Sequence, residues 1–123
     1  MAQTKIGTPC VMAPEIWENK MYNQKSDIWS LGCVLYKLMT LNHAFESKCK
    51  FINNLATPAY VIKITAGTYP PITGNYSQEL KDLVSAMLSL QPHNRPSVHS
   101  ILQLDFIRKK VNDVLEGTLK KYE

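Results

Sequence analysis

The strongest constraint on the fold lies between Asp27 and Thr40. Ile28, Leu31, Leu35 and Leu38 recur at three- and four-residue steps, the spacing of a helix. Trp29, Cys33, Val34 and Met39 add apolar side chains on other faces. At about 100° per residue these positions cannot share one side. A helix that is apolar nearly all round needs cover from every direction. The predicted element, residues 27–40 with Ser26 or Asp27 as its cap, therefore belongs at the centre of a helical body. That is a heavy demand on 123 residues, which have room for one domain and one core.

The flanking patterns supply partners for it. Residues 1–14 read as irregular, because Gly7-Thr8-Pro9 and Ala13-Pro14 hold the backbone extended. Phe51, Ile52 and Leu55 suggest a short helix that Thr57-Pro58 interrupts. Tyr60 to Ile64 stays open between helix and strand, and Gly67 with Pro70-Pro71 ends it. Ser77 opens an amphipathic helix over 77–90, with Leu80, Leu83, Val84, Met87 and Leu88 on one face. Gln91-Pro92 stops that helix. Pro96-Ser97 starts another over 97–106, carrying Val98, Ile101 and Leu102, and Phe106, Ile107, Val111, Val114, Leu115 and Leu119 extend the helical period in a C-terminal helix over 105–119. The predicted fold is all-α, about four or five helices with Pro-rich connectors.

Composition excludes several functions. The formal charge is +4, concentrated at Arg108, Lys109 and Lys110 and at Lys120 and Lys121. No finger, basic-zipper or RNA-binding pattern accompanies it, so a solvated helix face is expected and no nucleic acid. Cys10, Cys33 and Cys49 are odd in number and form no C-x-x-C, which argues against a disulfide framework or a thiolate metal site. His43, His93 and His99 lack partners at metal-ligand spacing. Ser47-x-x-Lys50 lacks the companion motifs of a serine nucleophile. Asn75-Tyr76-Ser77 matches a glycosylation acceptor, but no apolar signal segment precedes it and no apolar run suits a membrane. A reducing compartment, cytoplasmic or nuclear, is expected, with no membrane contact. No glycine-rich phosphate loop is present.

One constellation is specific. Ile6-Gly7-Thr8-Pro9-Cys10-Val11-Met12-Ala13-Pro14-Glu15 ends in A-P-E, the triplet that closes a kinase activation segment. Lys25-Ser26-Asp27-Ile28-Trp29-Ser30-Leu31-Gly32 follows, and then Asn94-Arg95-Pro96-Ser97. The chain resembles the helical C-terminal lobe of a protein serine/threonine kinase, from the end of the activation segment onward. More narrowly it is similar to the NIMA-related kinase family, on Leu41-Asn42-His43-Ala44-Phe45, Gly67-Thr68-Tyr69-Pro70-Pro71, Tyr76-Ser77-x-x-Leu80 and Arg95-Pro96-Ser97-Val98.

That resemblance implies roles. Thr4 matches the activation-loop phosphorylation site. Thr8 matches the threonine that contacts the catalytic aspartate. Pro9, Cys10, Val11 and Met12 match the loop that receives the substrate residue after the phosphoacceptor, with Cys10 and Val11 where the family commonly has aromatics. Glu15 and Arg95 are expected to pair, since a planar guanidinium suits a buried carboxylate. Asp27 matches the acid that holds the catalytic-loop backbone, and Trp29 and Gly32 are structural positions of the same motif. Residues 1–107 are expected to form a partial kinase domain and residues 108–123 a basic helical extension. Between Lys48 and Ile64 the chain runs about seven residues longer than the family's short helix, and a loop is expected because Pro58 inside a helix would cost about 3 kcal/mol.

The resemblance also implies a small lobe, a Gly-rich loop, a strand lysine, an H-R-D loop and a D-F-G motif, all before Thr4. The 123 residues contain none of them. The expectation is a truncated kinase lobe with no catalytic, cofactor-binding or metal-binding residue, inactive alone; Mg-ATP is implied only for a complete family member. The alternative is a non-catalytic binding or decoy module. Expected partners are protein substrates or regulators, or a second copy meeting an exposed apolar surface.

Overall fold

In the computed structural model of the chain, the described residues are 11–45, 64 and 66–122. Their order is α1 (Pro14–Trp17), α2 (Gln24–Thr40), α3 (Gln78–Met87), a 3-10 turn (Pro92–Asn94), α4 (Val98–Gln103) and α5 (Asp105–Lys121). No strand occurs among the described residues, and the architecture is all-α, like the C-terminal lobe of a kinase.

The central helix α2 begins earlier than the apolar pattern indicates. Its cap is Asn23, not Ser26 or Asp27. The Asn23 side chain accepts from the Lys25 and Ser26 amides, and Ser26 Oγ accepts from the Asn23 amide. This reciprocal box satisfies amides that the helix itself leaves orphaned. A polar first turn carries no apolar periodicity, so the pattern misses it. At the other end Leu41 closes the helix in the left-handed region, φ 63°.

Two apolar clusters flank α2. Trp29, Cys33 and Tyr36 lie with Ala13, Ala44, Phe45, Ile64, Val84 and Leu88 on one side. Ile28 lies with Leu83 and Met87 on the other, where Ile101, Phe106 and Ile107 also pack. Helix α3 supplies residues to both and crosses α2 closely at Gly32. A Cβ built at Gly32 would stand 2.9 Å from Met87 Cβ, inside any real contact distance, so only glycine permits this approach. Ser77 caps α3 and Ser97 caps α4, each accepting an amide three residues on.

The helical period from Val98 to Leu119 divides into two helices, α4 and α5. Leu104 adopts extended backbone, φ −66° and ψ 132°, and separates α4 from α5. The break turns Phe106 and Ile107 onto the cluster of Ile28, Leu83 and Met87. Beyond Ile107 every described residue of α5 is exposed, including the basic clusters, and the helix runs without interruption through residues 107 and 108.

Candidate functional site

Arg95 follows the 3-10 turn and is 1% exposed. A guanidinium has five N–H donors, and all five are used. Nη1 donates to Glu15 Oε2 at 2.8 Å and to the Lys25 carbonyl at 2.9 Å. Nη2 donates to Glu15 Oε1 at 2.9 Å and to the Leu90 carbonyl at 3.1 Å. Nε donates to the Ser89 carbonyl at 2.8 Å. Its Cζ lies over the Trp29 ring, 5.0 Å from the centroid, a cation–π arrangement. Lys25 Nζ donates in turn to the Arg95 carbonyl. One side chain thus ties α1, the start of α2, and the turn after α3 together.

Glu15 is buried in the first turn of α1. Burial alone would raise its carboxyl; the hydrogen bonds from Arg95 and Ser26, its own backbone and the Arg95 charge outweigh that and hold it below the ordinary value of 4.5. Ser26 Oγ donates to Glu15 Oε2 at 2.7 Å. A hydroxyl has one donor and two acceptor positions, so Ser26 serves both the latch and the helix cap.

Trp29 is fully buried, stacked on Phe45 at 5.1 Å between centroids and 13° between planes. Its Nε1 has no acceptor among the described residues. Burial pushes the Cys33 thiol up to about 12, an effect the Arg95 charge partly offsets, so it behaves as a small apolar group.

Thr4, Thr8, Pro9 and Cys10 lie outside the described residues, as does the 48–64 stretch apart from Ile64. Val11 is half-buried and Met12 buried. Ser30 Oγ donates to the Val11 carbonyl at 2.6 Å. Asp27 does not join the latch. It is exposed in the first turn of α2, on the arc that also carries Leu31, Val34 and Leu38 at about 100° per residue. Beside that arc runs an apolar groove of about 400 Å³, lined in part by Val11, Cys33, Val34, Leu38 and Leu41. Sequence reasoning missed Asn23, Lys25, Ser26 and Ser30 as contributors. The available signal was two serine hydroxyls four residues, about one turn, apart on α2.

A segment closed by A-P-E, locked to a helical base by a buried arginine, is the arrangement of a protein kinase. The chain matches the protein kinase domain family over residues 1–107, and it belongs to that family. Several of its relatives bear the Nek name of NIMA-related kinases. It is 54% identical to a probable serine/threonine-protein kinase nek3 of Dictyostelium discoideum over 110 residues, 89% of this chain and 9% of that protein. It is 49% identical to serine/threonine-protein kinase Nek1 of Mus musculus over 119 residues, 97% of this chain and 9% of that protein. It is 40% identical to a putative serine/threonine-protein kinase A of Trypanosoma brucei brucei across its full length, which is 27% of that protein. The chain therefore spans a small part of the relatives it matches.

Proposed function

We propose that this chain is the substrate-side portion of a serine/threonine protein kinase, the part that receives a protein substrate while a complete domain transfers phosphate from ATP. The observation that carries this reading is the Arg95 latch, which anchors the end of the A-P-E segment at Glu15 through both carboxylate oxygens. A bidentate, fully desolvated pair holds geometry as well as position. On this reading residues 1–107 are the partial domain and residues 108–123 a basic helical extension. Pro9, Cys10, Val11 and Met12 receive the residue after the phosphoacceptor, Thr8 meets the catalytic aspartate, and Thr4 is a phosphorylation site. Exposed Asp27 is available to the catalytic-loop backbone of a complete domain. The compartment is cytoplasmic or nuclear.

These residues do not fit Mg-ATP on their own. No group of His, Cys, Asp or Glu among the described residues could hold a metal, and the sequence has no glycine-rich loop to cradle phosphates. On this reading the 123 residues alone are expected not to transfer phosphate, because their sequence contains no glycine-rich loop, H-R-D or D-F-G motif. The open groove beside α2 favours a second reading, a non-catalytic module that captures kinase substrates or regulators.

The test is a chimera in which residues 4–107 replace the matching segment of an active NIMA-related kinase. Phosphorylation of serine and threonine peptides is expected, with Arg95→Ala abolishing it. A folded chimera that transfers no phosphate would falsify the kinase reading and favour the capture module. The isolated chain titrated with Mg-ATP in a calorimeter is expected to give no saturable heat.

A further inference from the structure

We propose that Ser30 is a positioning residue for the substrate-receiving segment, its hydroxyl setting the peptide plane between Val11 and Met12. This rests on the kinase reading above and assigns a residue to it that none of the motif roles uses.

A serine inside a helix ordinarily turns its hydroxyl to the carbonyl four residues back. Ser30 Oγ stands 3.3 Å from that carbonyl, on Ser26, and 2.6 Å from the Val11 carbonyl, which is 19 positions away in sequence. The hydroxyl has one proton, and the shorter contact takes it. The bond therefore leaves the helix and fastens the backbone ahead of α1.

Ser26 and Ser30 are one turn apart on α2, about 6 Å along its axis. Ser26 holds Glu15 and Ser30 holds Val11. The stretch Val11–Glu15 is thus tied at both ends to one rigid helix, with Met12, Ala13 and Pro14 buried between. A peptide unit is planar, so fixing the Val11 carbonyl also fixes the direction of the Met12 amide. Freed from Ser30, that plane can rotate while the Glu15 anchor stays in place. The substrate residue it meets is the one after the phosphoacceptor.

The experiment uses the active chimera carrying Ser30→Ala and the isosteric pair Ser30→Thr and Ser30→Val. Ser30→Ala and Ser30→Val are expected to raise the peptide KM about threefold to tenfold, the range of one net hydrogen bond, with the KM for ATP unchanged. A peptide library should show flattened preference only at the position after the phosphoacceptor. Ser30→Thr, which keeps the hydroxyl, should restore both. A merely structural hydroxyl would lower kcat through loss of folded enzyme and leave both KM values alone. That outcome, or equal behaviour of the Thr and Val variants, overturns the proposal while the kinase reading stands. If Ser30→Ala does not fold, the Thr and Val pair still decides. A folded but inactive parent chimera overturns the kinase reading and this assignment with it.

Discussion

Arg95 cannot be replaced by lysine without loss. A lysine has three donors on a flexible stem and no planar group to place over Trp29, whereas Arg95 spends five donors on three segments. Removing it leaves Glu15 buried and unpaired, which commonly costs about 3–5 kcal/mol. Total stability of a small domain is about 5–15 kcal/mol, so Arg95→Ala is expected to unfold at a much lower denaturant midpoint than the parent. An unchanged midpoint would show that the latch contributes nothing. Glu15 also predicts a response to acid. Its folded carboxyl is held below 4.5, so the unfolded state binds the proton first. The stabilisation is fully present above about pH 4.5 and is lost as pH falls through the lower folded value. Thermal melts from pH 7 to 3 should show that loss, and Glu15→Gln should flatten it.

At the scale of elements, the approach of α2 to α3 turns on Gly32. The Cβ of alanine would meet Met87 Cβ at 2.9 Å and Leu88 Cδ2 at 3.1 Å. Met87 Cβ sits next to the backbone and cannot swing aside, so the helices must separate. Overpacking of this kind costs about 1–3 kcal/mol, more than alanine's helix propensity returns, at about 1 kcal/mol. Gly32→Ala is therefore expected to lower the melting temperature. A rise would show that α2 and α3 do not pack at this distance. The existence of α2, α3 and the closing helices was legible from apolar periodicity, which burial imposes on α2, on α3 and on α5 as far as Ile107. Their ends were less so. The box at Asn23 lies in a polar turn, and the break expected near residues 105–106 falls at Leu104, where it lets Phe106 and Ile107 reach apolar neighbours.

For the whole molecule, the open arc of α2 matters most. Leu31 and Val34 are exposed, Leu38 is 67% exposed, and Leu41 continues the row at three- and four-residue steps. Such spacing is the seam of paired helices, and contiguous exposed apolar surface marks association. The isolated 123-residue chain is expected to self-associate and to bind an apolar-surface dye. Light scattering over a concentration series measures the first, and Val34→Glu with Leu38→Glu should reduce both signals. A compact monomer that binds no dye would refute the expectation. No helix among the described residues is long and apolar enough to cross a membrane.

Local pattern alone determined that the chain is helical, that α2 is its centre, and that Ser77 and Ser97 begin helices, because capping and periodicity act over a few neighbouring residues. Glu15 and Arg95 are 80 positions apart, and only their resemblance to kinase motifs brought them together on paper. Tertiary structure decided the remainder of the site. Ser26 read only as a candidate cap and Ser30 as an ordinary polar helix residue until the A-P-E segment lies across them and supplies acceptors. It also decided which apolar residues of α2 are covered: Ile28, Trp29 and Cys33 pack against α3 and the segment near Phe45, while Leu31, Val34 and Leu38 remain exposed. Hydrophobicity states how much surface a helix must hide; the positions of its neighbours state which side is hidden.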